Sequence, residues 1–331
     1  MNNCAAPAAG AQASYARGRV SVLLVASTGG HLKQLHRLRD RLPAVGSDPL
    51  WVTFDSPQSR SLLGGERVVW ARYVGSRDPV NVLRNAVLGA RVLRAGDHEM
   101  IVSTGSAIVL SFMPLGRAMG IDCHFIESAA RGEGPSMTGR IISRCPGVKL
   151  YSQYPTWATE RWRYGGSVMD GFRPAGSRPT QGIRRVVVLL GTMEHGFRRL
   201  AESLVRVLPA SAEVLWQTGS TDVSGLGIQG RPSVPGHEVD RAVAEADVVV
   251  VHAGVGAALT TLEAGKVPLL VPRRAGYSEH TDDHQLQIAE DLSRRGLAVS
   301  RDASELTADD LEHAAGLRAE QVAEVPDFKL Y

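Results

Sequence analysis

The sequence predicts an α/β chain built from two Rossmann-like, doubly wound parallel-sheet domains with a cleft between them. Three observations carry this expectation. Short β-branched runs alternate with helical patterns through both halves. Those runs, among them VSVLLVA, RVVVLLG and ADVVVVHAG, lack polar alternation, which marks strands buried on both faces and therefore parallel sheets covered by helices. A chain of 331 residues, 44% of them hydrophobic, also exceeds the ~150 residues of one typical core, so two domains are expected.

Taken in order, residues 1–17 are small and polar, without the basic start and apolar core of a secretory signal, and are expected as a disordered tail. The strands VSVLLVA, LWVTF, MIVSTG, CHFIES and VKLYSQ build a first domain over 18–174. The uncharged run Met100 to Gly116 holds several Ser and Gly plus Pro114, and a spanning helix needs ~20 mostly apolar residues. It reads as strand, turn and helix. The Gly/Pro/Ser-rich stretch GFRPAGSRPTQG supplies a linker at 175–182, and RVVVLLG, EVLWQTG, ADVVVVHAG and VPLLVP build a second domain over 183–331.

Net charge is +3, but residues 1–175 carry a formal +9 and the remainder −6. A basic half suits anionic lipid headgroups, diphosphates or nucleic acid, and equally an Arg-rich solvated face. The motifs below point to diphosphates, and no nucleic-acid partner is expected. Three cysteines are too few and too scattered for a disulfide framework or a metal knuckle.

Ligands of such sheets sit beyond the C-terminal strand ends, where glycine turns lead into helices. VASTGGHLKQL is one such turn, with Gly29, Gly30 and His31 between a strand and a helix marked by Leu32, Leu35 and Leu38. ADVVVVHAGVG is the other. After it, the free N–H groups of a helix starting near Ala257, with the positive dipole end, suit a diphosphate. Glu263 follows at that helix's far end, where a carboxylate accepts from two vicinal hydroxyls as a ribose presents them, or stands as a plain surface glutamate. Asp282, Asp283, His284 and Gln285 then crowd before a further helix, more polar residues than capping alone accounts for.

HAGVG, the glutamate of LTTLEAG, VPLLVPR and DDHQLQIA resemble the nucleotide-sugar half of GT-B glycosyltransferases. The similarity is to the lipid-intermediate N-acetylglucosaminyltransferase of peptidoglycan synthesis and to the catalytic subunit of the two-subunit dolichol-linked enzyme. ASTGGHLKQL, IVSTGSAIVLSF and FIESAARGEGPSMTGRIISR resemble that enzyme's other subunit and its bacterial polysaccharide-synthesis homologues, so the chain looks like both subunits fused. The resemblance implies that Gly191, Thr192, His252, Gly254, Val255 and Gly256 lie near the diphosphate of a UDP-sugar, that Glu263 holds the ribose, and that Asp283, His284 and Gln285 reach the sugar. His195 is either donor-proximal or an exposed loop residue, and the second is expected. The acceptor implied is a polyprenyl-diphosphate-linked sugar at the inner, cytoplasmic face of the membrane. Gly29, Gly30, Thr104, Gly105 and Ser128 are its candidate binders.

The activity implied is an inverting sugar transfer, which needs a base for the acceptor hydroxyl and stabilisation of departing UDP. His31 is the first choice as base, by the ordinary imidazole pKa and by its match to a histidine proposed as base in the peptidoglycan enzyme. Glu127 competes as base, as an acceptor anchor, or as a buried glutamate paired with an arginine. Arg173, near the hinge, is a candidate cation for the diphosphate. No Asp-x-Asp pair occurs, so no cofactor and no metal are expected. Membrane contact is assigned to PVNVLRNAVLGARVLR, with Arg84, Arg91 and Arg94 towards one face and Leu83, Ala86, Ala90 and Leu93 on the other. Polysaccharide-assembly proteins are further candidate partners. The rival readings are a UDP-N-acetylglucosamine 2-epimerase, a non-catalytic UDP-sugar-binding scaffold, and a dinucleotide oxidoreductase, against which His31 stands where a third glycine belongs.

Overall fold

The computed structural model describes residues 21–75, 77–191 and 195–331; the tail at 1–17 and Thr192 lie outside them. The first sheet comprises β1 (Val22–Ala26), β2 (Leu50–Phe54), β3 (Arg67–Ala71), β4 (Met100–Gly105), β5 (Asp122–Ile126), β6 (Lys149–Ser152) and β7 (Trp162–Tyr164). Its order is β3-β2-β1-β4-β5-β6-β7, and every pairing is parallel. Helices α1 (Gly30–Arg39), α2 (Pro57–Leu62), α3 (Pro79–Ala95), α4 (Met113–Ala118) and α5 (Met137–Ile142) connect these strands.

All five residues of β1 are buried, and the period of two separates them cleanly. Leu24 and Ala26 join one apolar cluster, Leu23 and Val25 the other. On α1, Leu32, Leu35 and Leu38 are fully buried in the first of these, which is the helical spacing a single core-facing stripe requires. Helix α2 is set by Ser56, whose hydroxyl accepts the Ser59 N–H, with Pro57 in the first turn, where its missing N–H costs nothing.

A crossing strand, β8 (Phe172–Ser177), follows. The second sheet holds β9 (Arg185–Leu189), β10 (Glu213–Gln217), β11 (Gly230–Arg231), β12 (Val248–Val251), β13 (Leu269–Leu270) and β14 (Val299–Ser300). Its order is β11-β10-β9-β12-β13-β14, again wholly parallel. Helices α6 (Arg198–Val207), α7 (Gly236–Glu245), α8 (Val255–Glu263), α9 (His284–Arg294) and α10 (Ala308–Gly316) belong to this half, and β15 (Leu317–Gln321) closes it.

Strand β15 runs antiparallel to β8, so the linker read at 175–182 begins as a strand of a two-stranded ribbon. The last residues then return to the first half. The Phe328 N–H donates to Arg41 O at 2.7 Å, and Lys329 N donates to Gly165 O at 2.8 Å. Phe328 is 1% exposed, its ring edge-on to Tyr151 at 5.9 Å and seated where a side chain on Gly165 would stand. A boundary drawn by sequence order does not show this return.

Both sheets reverse their winding next to their first strand, between β1 and β4 and between β9 and β12. Loops leaving the carboxyl ends at such points splay apart and leave room for a ligand. The turns carrying His31, Gly105, Gly191 and His252 all sit there. Among the described residues no helix is long and apolar enough to cross a membrane.

Phe328→Ala is expected to cost about 3–5 kcal/mol, the range for truncating a buried aromatic. Chemical denaturation monitored by tryptophan fluorescence checks this; a change under about 1 kcal/mol would mean the returning segment does not stabilise the first half.

Candidate functional site

The two glycine turns meet. Helix α1 starts at Gly30 and α8 at Val255, and a Cβ on Gly256 would stand 3.2 Å from Gly30 Cα, while one on Gly30 would stand 3.4 Å from Gly256 N. Neither helix has a side chain capping its N-terminus. Two positive dipole ends with free N–H groups therefore converge on one junction between the halves.

His31 sits in the first turn of α1. Its Nδ1 lies 2.6 Å from the Thr104 carbonyl oxygen, and the Thr104 hydroxyl donates to the His31 carbonyl at 2.7 Å. A carbonyl only accepts, so Nδ1 carries the proton and Nε2 keeps a lone pair. Burial lowers the His31 pKa from 6.5 to about 4, against the raising effect of the Thr104 carbonyl and with smaller contributions from Arg131 and His284. Gly105, at φ 97°, leaves room for the imidazole: a side chain there would stand 3.3 Å from its Cε1 and Nδ1. Gly29, at φ 81°, faces open space.

Glu127 is 1% exposed. Its Oε1 accepts from Ser128 N at 3.1 Å, and its Oε2 from Ser136 N at 2.9 Å and the Ser136 hydroxyl at 3.0 Å. Burial raises its pKa and these hydrogen bonds oppose the rise. Its hydrogen bonds come from Ser128 and Ser136, while an arginine, Arg131, acts on it through charge alone. Ser136 in turn caps α5 by accepting from Gly139 N, and Gly139 has no space for a side chain beside Glu127 Oε2. The SMTG motif is thus the clamp on this carboxylate. Beside it, buried Gln34, missed by the sequence reading, donates to Gly30 O and the Ser128 hydroxyl and accepts from Ala129 N. Gln153 joins by donating to Gln34 and to Glu127 O.

In the other half His252 ends β12, with Nδ1 donating to Leu189 O at 3.0 Å. Burial, then the charge of Arg273, lowers its pKa to about 3. Side chains on Gly191 or Gly254 would collide with this imidazole. The glycines of HAGVG therefore have an internal reason: Gly254 makes room for His252, and Gly256 for Gly30. Val255 opens α8 and is nearly buried.

Glu263 ends α8 and is ion-paired with Lys33 of α1 at 2.6 Å, so the carboxylate meets a cation from the opposite half. A second bridge joins Arg131 to Asp282 at 2.7 Å. Gln287 adds a third link, accepting from Gly132 N and donating to Glu133. Asp283 accepts from Ala275 N at 2.8 Å and does not cap α9. His284 Nδ1 donates to Asp282. Gln285 is 3% exposed, and its Oε1 accepts from Arg273 N, which ties α9 to the loop after β13; its carbonyl is occupied inside the fold. His195 is half-buried, with its ring 6.0 Å from that of His280, which corrects the expectation of an exposed loop residue.

Arg173 is a further correction. It lies on β8, exposed, paired with Glu320 of β15, in the ribbon and apart from the contacts that join the glycine turns. Lys33, Arg131 and Arg273 are cations that meet the site's own residues, at Glu263, Asp282 and His252. No periodicity marked them, although Lys33 stands two residues after His31. On α3, Leu83 and Val87 are 69% and 56% exposed beside exposed Arg84 and Arg91, while Leu93 is buried. Leu83 therefore shares the solvent face with the arginines instead of opposing them.

Two Rossmann-like sheets that meet at their switch points are the GT-B architecture, and known structures agree. Crystal structures of Acinetobacter baumannii MurG (TM-score 0.54, 18% identity, 88% of this chain and 89% of that one) and of the glycosyltransferase SnogD from Streptomyces nogalater (TM-score 0.53, 18% identity, 89% and 92%) share the fold. Residues 185–315 match the glycosyltransferase family 28 C-terminal domain. Two curated relatives bear the name UDP-N-acetylglucosamine--N-acetylmuramyl-(pentapeptide) pyrophosphoryl-undecaprenol N-acetylglucosamine transferase. The one from Solidesulfovibrio magneticus is 27% identical over 250 residues, 67% of this chain and 65% of the relative. The one from Nitratidesulfovibrio vulgaris is 33% identical over 199 residues, 54% and 52%. The matched stretch thus spans just under two thirds of the first relative and about half of the second.

His31, His252 and His280 all have folded pKa values near 3–4 against 6.5, chiefly from burial, so between those limits the unfolded chain binds the extra protons. Their contribution to stability is fully present above pH 6.5 and is lost as pH falls towards 4, at up to about 1.4 kcal/mol per pH unit per imidazole. Urea midpoints measured from pH 7.5 to 4.5 are expected to fall below pH 6.5, and His31→Asn to flatten part of the slope; an unchanged slope would contradict the burial of His31.

Proposed function

We propose that the chain is an inverting, metal-independent glycosyltransferase that moves a sugar from a UDP-sugar to a polyprenyl-diphosphate-linked sugar at the inner face of the cytoplasmic membrane. The observation that carries this is His31, with its proton held on Nδ1 by Thr104, at the junction where two uncapped helix N-termini converge. The similarity to enzymes named for a UDP-linked donor and a pyrophosphoryl-undecaprenol acceptor supports the substrate classes. The motifs of both halves support a fusion of donor-binding and acceptor-binding units in one polypeptide.

In this reading the acceptor hydroxyl attacks the anomeric carbon opposite to the leaving group, and Nε2 of His31 takes its proton. The bond from the anomeric carbon to the β-phosphate oxygen breaks, and UDP leaves with the electron pair. The first-turn N–H groups of α8 receive the growing charge as neutral donors. An imidazole with a pKa near 4 is a weak base, but an anionic diphosphate brought beside it favours its protonated form. Glu127, with both oxygens engaged, acts as a positioning residue for the Ser128 and Ser136 loop. Glu263 exchanges Lys33 for, or shares it with, the ribose hydroxyls. The Arg-flanked apolar face of α3 rests on anionic lipid.

A UDP-release screen over several UDP-sugars with short-chain polyprenyl-diphosphate sugars, run in EDTA, tests the reading. Turnover should persist in EDTA. His31→Ala should lower kcat by about 10²–10⁴-fold, the usual worth of a general base, while Glu263→Ala should chiefly raise the donor KM. The acid limb of kcat/KM should lie well below pH 6.5. Donor epimerisation without acceptor, or turnover lost in EDTA and restored by magnesium, would end this account.

Membrane contact is tested by co-sedimentation with vesicles containing anionic phospholipid. Leu83→Glu should reduce the bound fraction severalfold and leave the thermal melt unchanged, since the residue is exposed. Equal binding of both proteins would remove α3 from the membrane face.

A further inference from the structure

The loop before α9 and that helix's first residue gather three metal-type side chains within five residues, His280, Asp282 and His284. One nitrogen from each imidazole and one carboxylate oxygen all lie within 4.8 Å of one another. His280 is 8% exposed, its ring edge-on to that of His284 at 4.4 Å. His280 Nδ1 stands 3.6 Å from Asp282 Oδ1, the oxygen that also receives His284 Nδ1. The other carboxylate oxygen is held by Arg131 at 2.7 Å, which fixes the Asp282 side chain from the opposite half. His195 places a further imidazole 6.0 Å from His280, ring to ring.

The hydrogen bond between His284 and Asp282 explains two of these side chains without a ligand. His280, a nearly buried imidazole, faces the same oxygen at a distance beyond a hydrogen bond, so Asp282 does not hold it there. Its Nδ1 accepts from the Thr281 backbone N–H at 2.9 Å, with the Thr281 hydroxyl at 3.3 Å. We propose that His280, Asp282 and His284 form a binding site for a divalent transition-metal ion, zinc fitting best, and that its occupation blocks the donor side of the cleft.

Two imidazoles and one carboxylate are a mixed nitrogen and oxygen set, which suits zinc and not the all-oxygen preference of magnesium or calcium. Bonds of about 2.0–2.1 Å at tetrahedral angles put ligand atoms roughly 3.3 Å apart. The 3.6 Å separation of His280 Nδ1 and Asp282 Oδ1 is close to that requirement; as the metal enters, the Nδ1 lone pair passes from the Thr281 N–H to the ion, and the shorter contact between His284 and Asp282 opens. The proton shared by those two groups leaves to solvent, and water or His195 takes the fourth position. A metal here withdraws His284 from any donor sugar. The binding stands apart from the transferase reading; the blocking rests on it.

The test is calorimetric titration of zinc into the full chain after EDTA treatment and dialysis. One zinc per chain should bind at micromolar or tighter Kd, and magnesium should not bind. His284→Ala and Asp282→Asn should each weaken zinc at least about 10-fold, with His313→Ala, an exposed histidine of α10, unchanged. Cobalt should give visible d–d bands that disappear in His284→Ala. A Kd weaker than about 100 µM, or equal binding by both site variants, overturns the site. In the UDP-release assay zinc should inhibit and EDTA should restore turnover; bound zinc with unchanged turnover overturns the blocking. Failure of every donor and acceptor to turn over counts against the transferase reading and leaves the zinc titration decisive for the site.

Discussion

The contact between Gly30 and Gly256 sets the terms for the rest of the molecule. Two helices, one from each half, bring their N-terminal ends together, and a side chain on Gly256 would press on the Gly30 backbone at 3.2 Å. Each end carries roughly half a positive charge and unsatisfied N–H groups, and among the described residues no side chain caps either helix. Placing like dipole ends side by side is unfavourable by itself. It becomes useful when an anion sits beside them, as the diphosphate of the proposed UDP-sugar donor would.

Everything around that junction holds it in place. Lys33 with Glu263 and Arg131 with Asp282 bridge the halves; each such partly exposed pair contributes no more than about 1 kcal/mol. The apolar packing contributes more, since one buried cluster runs from Leu24 and Leu32 in the first half to Val250 and Leu259 in the second. Polar side chains under His31 are satisfied without water. Gln34 and Gln153 share a hydrogen bond, Gln34 reaches Ser128, and Glu127 closes on Ser128 and Ser136. An incompletely satisfied network of this kind would be costly, and its completeness is what lets a carboxylate and two amides lie at the base of the site.

Arg273 is the exception. It is 1% exposed, donates to Leu190 O, and stands over the Phe197 ring at 5.6 Å. Its Nε and Nη1 have no hydrogen-bond partner among the described residues. Burial pulls its pKa down to about 10, so it stays charged, and that charge helps keep His252 neutral. A buried cation beside the Gly191 turn strengthens the positive potential where the donor is proposed to bind.

The alternation of buried β-branched runs with helical patterns determined the two parallel sheets, because strands covered on both faces have no other hydrophobic pattern. It did not reveal β3, β7 or β11, edge strands whose residues face water on one side and so lack the signal, nor β15, whose partner β8 is far away in sequence. HAGVG and STGGHL could be placed at strand ends from their glycines alone. Why those glycines are needed was decided only by tertiary packing: Gly254 by the His252 ring, Gly256 by the opposing helix, Gly139 by Glu127. Arg173 looked like a hinge cation and is a surface ion pair, whereas Lys33 and Arg131 carry the bridging charge. Local sequence specifies which backbone can turn and which face is apolar. Which charge meets which carboxylate depends on how the two sheets dock, and residues about 150 or more positions apart leave no periodic trace of that meeting.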